Sequence, residues 1–106
     1  MFNKQKYFPS KSLLAANKSL IDQLLLQLNK DLKVDSFKKP LEDFESLAQQ
    51  IEDVLIAKQK EMAMLLYQID INENQLKGLS DFKILSYMVL EREAQKVLFR
   101  EQFKNI

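Results

Sequence analysis

The sequence has no Cys, His or Trp, and its 106 residues include only one Gly and two Pro. Without Cys or His, it has no thiolate nucleophile, no imidazole base, no disulfide and none of the usual nitrogen or sulfur ligands of zinc. A single glycine also excludes the glycine-rich phosphate loops, which need several residues that let the backbone turn tightly or approach a phosphate. We therefore expect a protein that is not an enzyme and that binds no cofactor and no metal.

Charges of the two signs nearly balance, with 16 Lys and Arg against 15 Asp and Glu. Because a basic excess usually supplies the phosphate-neutralising part of nucleic-acid binding, this balance argues against a dedicated nucleic-acid binder. A hydrophobic fraction of 46% is too high for a disordered chain. No apolar run approaches the roughly 18 residues of a membrane helix, and no apolar core of a secretory signal follows residues 1–8. We expect a cytoplasmic protein that does not bind membranes.

Apolar residues recur at spacings of three and four along stretches rich in Leu, Lys, Gln, Glu and Ala, which are good helix formers. This pattern predicts an all-α fold, a small antiparallel bundle with one short helix. The predicted helices cover about 12–32, 41–69, 73–77 (the short one) and 81–103. Nothing marks a domain boundary, so residues 1–106 are read as one domain in which residues 1–11 form an N-terminal arm, either flexible or docked.

The second predicted helix is the longest, because its apolar stripe continues from Phe44 to Ile69. At a rise of 1.5 Å per residue, it would be a rod of roughly 40 Å. Lys58 lies on this stripe between Leu55 and Met62. Two interpretations stay open: its stem lies along apolar surface while the ammonium reaches water, or it is a polar residue that fixes the register of packed helices.

Residues that favour helix ends flank the short helix. Asn72 suits its N-terminal cap, and Gly78 suits a left-handed C-terminal cap. Ser80 is predicted to cap the last helix, with Asp81 near the positive end of the helix dipole. Pro40 suits a position at or just before the first turn of the second helix.

Basic residues recur every four positions on one face of the last helix, and we call Arg92, Lys96, Arg100 and Lys104 the basic row. One interpretation is a contact strip for an acidic partner or a phosphate backbone. The other is a solvent-exposed face whose charges are matched locally by Glu93 and Glu101 or by acidic residues of the second helix.

Phe99 and Phe103 share this part of the last helix and lie off its apolar face. If they are exposed, a mixed basic and aromatic strip is typical of a partner site. The candidate partner-binding residues are Arg92, Lys96, Phe99, Arg100 and Phe103. They predict a non-catalytic protein-interaction or assembly module whose partner is another protein or a second copy of the chain, as in a homodimer. The alternative is a small nucleic-acid-associated regulator that uses the basic row together with Lys4, Lys6 and Lys11.

Four carboxylates, Asp70, Glu73, Glu91 and Glu93, are the remaining candidates for chemistry. Paired carboxylates serve in acid–base catalysis and bind divalent metals. A helix-bundle di-metal site, however, normally uses Glu-x-x-His pairs, and this chain has no His. Helix caps and salt bridges therefore account for these residues, unless they form an inward-facing cluster with raised pKa values in a pocket.

Two segments carry a resemblance: residues 66–76 read LYQIDINENQL and residues 90–96 read LEREAQK. They resemble an LYxIDxxExxL stretch followed by an ERxxQK helix in a family of short, uncharacterised, all-helical bacterial proteins. That family has a longer, acidic connection where this chain has only residues 77–80. The resemblance implies a small helical protein and no particular reaction. It also marks a structural polar group that consists of Tyr67, Asp70, Glu73 and Glu91. We expect its turn carboxylates to face the start of the basic row.

Overall fold

The computed structural model of the chain describes residues 7–38, 43–76 and 81–104. Its α-helices are α1 (Lys11–Ala15), α2 (Lys18–Leu32), α3 (Phe44–Ala57), α4 (Met62–Ile69) and α5 (Phe82–Lys104). Two short 3₁₀ helices, Gln59–Glu61 and Glu73–Leu76, precede α4 and follow it. The described ranges contain no β-strand, and the predicted all-α class is confirmed.

The first predicted helix, at about 12–32, is in fact two helices, because the chain leaves the helical conformation at Asn17. This residue has an extended backbone (φ −143°, ψ 109°), and its side chain accepts a hydrogen bond of 3.0 Å from the backbone N–H of Ser19. Asn is among the strongest N-terminal caps, since its side chain satisfies an N–H group that the first turn leaves without a partner. The sequence prediction of one continuous helix was wrong at this point.

The predicted rod over 41–69 is also interrupted. The helix begins at Phe44, where the Asp43 side chain accepts a hydrogen bond from the backbone N–H of Ser46, and it ends at Ala57. A 3₁₀ turn follows before α4, across residues 58–61, where the sequence has four polar residues and no apolar one. Pro40, predicted to open this helix, lies outside the described residues.

Lys58 lies at this break and bridges two helix ends. Its ammonium donates hydrogen bonds to the carbonyl oxygens of Leu32 (3.0 Å) and Lys33 (3.1 Å), at the C-terminus of α2. Carbonyls at a helix C-terminus have no partner within the helix and carry its negative dipole end, so a cation stabilises them. Lys58 therefore caps α2 and ties it to the end of α3, which neither sequence interpretation had anticipated.

Two helices end in a left-handed conformation without glycine. Lys33 (φ 58°) closes α2 and Asp70 (φ 69°) closes α4. Glycine usually occupies such positions because it has no Cβ to clash. The single glycine, Gly78, was predicted to be a cap of this kind, and it lies outside the described residues.

Replacing Lys33 with Gly is expected to raise the free energy of unfolding by about 0.5–1 kcal/mol, because glycine adopts the left-handed conformation without strain. Urea unfolding curves measure the change. The matched control is Lys30→Gly in the last turn of α2, which is expected to lower stability by about 1 kcal/mol because its position is helical. Equal destabilisation by both substitutions would contradict the left-handed cap at Lys33.

The last helix begins one residue later than predicted. Asp81, rather than Ser80, is the described cap: its Oδ1 accepts hydrogen bonds from the backbone N–H groups of Lys83 (2.8 Å) and Ile84 (3.4 Å). Helix α5 therefore starts at Phe82. Ser80 lies outside the described residues.

Between α4 and α5, the predicted short helix is a single 3₁₀ turn, Glu73–Leu76. Asn72 is placed as predicted, since its Oδ1 accepts a hydrogen bond of 2.9 Å from the backbone N–H of Asn74. The predicted last residue of this helix, Lys77, lies outside the described residues.

Helix α5 packs chiefly against α3 and α2, and the core lies between these three helices. Its first half is buried on several sides, with Leu85, Tyr87, Val89 and Leu90 all buried. The fully buried aliphatic side chains of the other helices are Leu14, Leu24, Leu28, Leu32, Leu47, Ile51, Leu55, Leu65 and Ile69. Across the described ranges, none of the helices combines the length and the apolar character that crossing a bilayer requires.

Candidate functional site

Arg92, the first member of the basic row, binds the turn that follows α4. Its Nε donates to the backbone oxygen of Asp70 (3.1 Å), and its Nη2 donates to the Oδ2 of the same residue (2.9 Å). The hydrogen bond and the charge of Arg92 lower the pKa of the Asp70 carboxyl below its ordinary value. This contact joins α5 to the end of α4, where Asp70 has its left-handed conformation.

Lys96, one turn further along α5, contacts three acceptors from three helices. Its ammonium lies 2.8 Å from Oδ2 of Asp31 in α2, 3.1 Å from the backbone oxygen of Gln68 in α4, and 3.2 Å from Oε2 of Glu93. The ammonium has three protons to donate, and each has an acceptor within reach. Lys96 therefore serves as an internal cation between helices rather than as part of a solvent-exposed row.

Asp31 and Glu93, which we call the carboxyl pair, flank this ammonium in the protein interior. Asp31 is 6% exposed, and Glu93 is not exposed at all. Neither carboxyl oxygen of Glu93 receives a well-directed hydrogen bond from the described residues. A protonated Glu93 can donate a hydrogen bond to the Asp31 carboxylate. The buried Glu93 carboxyl then has a hydrogen-bond partner, and Asp31 receives a further donor.

Burial and the neighbouring carboxyl of Asp31 together raise the pKa of Glu93 from its ordinary 4.5 to about 8, against the attraction of Lys96. For Asp31, burial would raise the pKa, but hydrogen bonds from Glu93, Lys96 and Gln27 and the charge of Lys96 outweigh it, so the pKa is lowered. The amide of Gln27 donates to Oδ2 of Asp31 at 2.8 Å. The raised pKa of Glu93 favours its protonated form at neutral pH, whereas the lowered pKa of Asp31 favours its carboxylate, which is paired with Lys96.

Glu93 has the raised pKa that the sequence argument required of a catalytic cluster, but neither Glu93 nor Asp31 lines any of the cavities described among these residues. The cavity beside them is lined by Lys96 and Gln27, which lie between the carboxyls and solvent. In the described part of the chain, no three carboxylates lie close enough together to hold a metal ion. The contacts of this cluster hold α2, α4 and α5 together.

That cavity, which we call the α5 groove, has a volume of about 520 Å³. Its lining residues are Gln27, Arg92, Gln95, Lys96, Phe99 and Arg100. Arg100 is held across it, since its Nη2 donates a hydrogen bond of 2.7 Å to Oε1 of Gln27. The structure thus places Arg92, Lys96, Phe99 and Arg100, four of the five candidate partner-binding residues, around one groove.

Phe103, the fifth candidate, adjoins the groove through Phe99. The ring centroids of the two phenylalanines lie 4.6 Å apart with the rings tilted by 54°, a favourable aromatic geometry. Phe99 is 62% exposed and Phe103 is 53% exposed. Lys104, the last member of the basic row, has a side chain outside the described residues.

The structural polar group that the resemblance marked is divided between separate places. Asp70 binds Arg92, as expected for a turn carboxylate facing the basic row. Glu91 instead accepts hydrogen bonds from the N-terminal arm and from Gln95. Tyr67 is 83% exposed, and the side chain of Glu73 lies outside the described residues.

The N-terminal arm lies against α5 and α3 where the structure describes it. Ser10 donates from its backbone N–H (2.9 Å) and its hydroxyl (2.7 Å) to the two carboxylate oxygens of Glu91. Phe8 is buried, and its ring meets Phe44 edge-on with centroids 5.3 Å apart. Phe8 and Phe44 border a second, mainly apolar cavity of about 450 Å³. The sequence argument had raised the question of a docked arm without identifying its partners.

Sequence reasoning missed Asp31 and Gln27, both of which are buried. A signal was present: Gln27 and Asp31 are one turn apart and follow Leu24 on the buried side of α2. Glu93 likewise lies three residues after Leu90, on the apolar face of α5. A charged residue on an apolar stripe predicts a buried partner, and here two such residues in different helices are each other's partners.

The fold and this site define a small all-α protein with a polar cluster between three of its helices. Comparisons with protein-family models, with curated proteins and with solved structures find no match to the chain. The resemblance of residues 66–76 and 90–96 to a bacterial family therefore stays a prediction.

Proposed function

We propose that the chain is a non-catalytic protein-interaction module that binds its partner through the α5 groove and the adjoining rings of Phe99 and Phe103. The observation that carries this proposal is the pair of touching, exposed phenylalanines beside a groove lined by three cations. Single exposed apolar residues are common on protein surfaces and need no explanation. Aromatic side chains next to arginine are the combination enriched at the energetic centres of protein interfaces.

The contacts of the basic row favour a protein partner over a phosphate backbone. Asp70 pairs with Arg92, and Asp31 pairs with Lys96, so two of the cations are already neutralised within the chain. Nucleic-acid affinity depends on several free cations that replace counterions on the phosphates. A groove lined by Phe99, in which two of the three cations are already paired, suits a protein side chain better than a phosphate run.

Self-association has less support than an unlike partner. An uninterrupted second helix over residues 41–69 and uncovered apolar surface at the start of α5 would favour it. The second predicted helix is instead interrupted at Lys58, and Leu85, Val89 and Leu90 are buried within a single copy of the chain. The apolar surface that a homodimer would need is therefore already covered in this part of α5.

Affinity capture from the native host, followed by mass spectrometry, tests the proposal. The native chain is compared with a Phe99→Ser, Phe103→Ser double variant, and Tyr67→Ser is the matched control because it removes an even more exposed ring away from the groove. We expect a protein that the native chain and the control retain and that the double variant loses. Losing two interface aromatics typically weakens binding by a factor of ten or more, about 2 kcal/mol.

Circular dichroism of each variant checks that the helices persist. A captured set that is identical for all three chains would contradict the proposal. Binding of generic DNA or RNA that falls steeply between two salt concentrations and is lost in an Arg100→Gln variant would favour the nucleic-acid alternative instead.

A further inference from the structure

The α5 groove has charge of one sign only. Three of its six lining residues are cations, and the other three, Gln27, Gln95 and Phe99, have no charge. Two of these cations are paired with carboxylates: Lys96 with Asp31, which is buried beneath it, and Arg92 with Asp70, which lies in the exposed turn after α4. Since Lys96 and Arg92 are paired in this way, Arg100 contributes most of the positive charge that the groove presents to an incoming group.

Of the three cations in the groove, Arg100 is the one whose positive charge is least compensated by neighbouring carboxylates. The hydrogen-bond partner that the structure gives it is the neutral amide oxygen of Gln27, at 2.7 Å. The adjacent residue, Glu101, instead points to α2, with its Oε2 3.5 Å from the side-chain nitrogen of Gln23. Since Arg100 is exposed, its guanidinium has further N–H donors that an incoming carboxylate can use.

An apolar surface adjoins this guanidinium. Phe99 lines the groove next to Arg100, and its ring contacts Phe103, so the two rings form one exposed platform. A cavity of about 520 Å³ has the size of a site for one or two side chains rather than for a whole helix.

We propose that the α5 groove recognises an acidic segment of a partner protein, with a carboxylate on Arg100 and a neighbouring apolar side chain on Phe99. This inference rests on the proposed function and names the chemistry of the partner. The charge complementarity selects carboxylates, and the aromatic platform supplies the apolar contact that a purely electrostatic site would lack.

Selection of a random short-peptide library, displayed on phage, against the immobilised native chain tests the inference. We expect the enriched peptides to have a net negative charge and an apolar residue beside a carboxylate. Synthetic copies should bind an Arg100→Gln variant at least tenfold more weakly, the usual effect of losing a charge-assisted hydrogen bond. The matched control is Lys83→Gln, which removes one positive charge near the start of the same helix, about 25 Å away at the helical rise per residue.

Enriched peptides that are neutral or basic, or acidic peptides that bind Arg100→Gln as tightly as the native chain, would overturn the acidic partner. If such peptides still lose their affinity for a Phe99→Ser variant, the groove binds protein segments and only the acidic chemistry is wrong. If the selected peptides bind Phe99→Ser unchanged, or if no peptide is enriched, both the acidic partner and the proposed function fail.

Discussion

Replacing Glu93 with Gln is expected to remove most of the stability loss that the native chain shows as pH rises from about 4.5 to about 8. In the unfolded chain, Glu93 releases its proton near its ordinary pKa of 4.5, whereas in the folded chain it keeps the proton until about pH 8. Between these values, the folded state binds one more proton than the unfolded state, so the free energy of unfolding falls as pH rises. The contribution of Glu93 is fully present below pH 4.5.

The size of this loss is on the order of 5 kcal/mol, at about 1.4 kcal/mol for each pKa unit. Asp31 acts in the opposite direction at lower pH: its pKa lies below the ordinary 3.8, so its contribution is lost as the pH falls beneath that value. The groups that face Glu93 are Asp31 of α2 and Lys96 of α5, with Gln27 held against Asp31. Together, they predict a stability maximum in mildly acidic solution.

Urea unfolding of the native chain and the Glu93→Gln variant, at about pH 5 and about pH 9, measures the effect. A glutamine amide can donate to Asp31 at every pH, so the variant should differ little from the native chain at the lower value and exceed it at the higher one. The matched control is Glu61→Gln, which removes an exposed carboxyl outside the cluster and should not share the stabilisation at about pH 9 that Glu93→Gln shows. Parallel curves for the native chain and Glu93→Gln would contradict the buried proton.

The absence of histidine makes this experiment unusually direct. In most proteins, histidines titrate between pH 5 and 8 and obscure other groups. This chain has no His and no Cys, so a pH dependence of stability in that range points to a carboxyl with a raised pKa or to the α-amino group.

Replacing Lys96 with Met is expected to lower the free energy of unfolding by about 3–5 kcal/mol, because it leaves the carboxyl pair without its cation. Asp31 and Glu93 would remain in the interior, with Gln27 as the donor that still reaches Asp31. Since small domains have a total stability of about 5–15 kcal/mol, this single change takes the chain close to unfolding at neutral pH.

A triple variant, Lys96→Met with Asp31→Leu and Glu93→Leu, keeps the prediction testable even if the single variant does not fold. Replacing a whole buried ionic cluster with apolar residues of similar size is usually neutral or stabilising. We expect the triple variant to recover at least native stability, as measured by its urea midpoint. A triple variant that is as unstable as Lys96→Met alone would show that shape, rather than the missing cation, causes the loss.

The sequence predicted the class of fold because helical periodicity depends on local spacing, and every described helix follows an apolar stripe. It did not predict the helix breaks at Asn17 and Lys58, because the apolar residues before and after each break keep the same helical spacing. Each break depends on one polar group finding a backbone partner: the N–H of Ser19 for Asn17, and the carbonyls at the end of α2 for Lys58. The second of these partners lies 26 residues away in the chain, beyond the reach of any local pattern.

The sequence predicted the candidate site only in part, again because local spacing does not reveal tertiary contacts. The four-residue spacing placed Arg92, Lys96 and Arg100 on one face of α5, and this is how they lie. Their partners Asp31 and Gln27 belong to α2, and only the packing of α2 against α5 brings them together. Spacing along one helix determines which residues share a face, whereas the element that the face meets depends on tertiary packing.

The hydrogen bond between Ser10 and Glu91 joins residues that are 81 positions apart in the sequence, and the contact between Asp31 and Lys96 joins residues that are 65 positions apart. Because α5 supplies the surface against which both α2 and α3 pack, the earlier helices emerge from the ribosome with their apolar faces uncovered. Domains begin to fold while they are synthesised, but this one cannot close its core until residues 82–104 have been added. The interval before that addition is when this chain is most exposed to aggregation or to binding by chaperones.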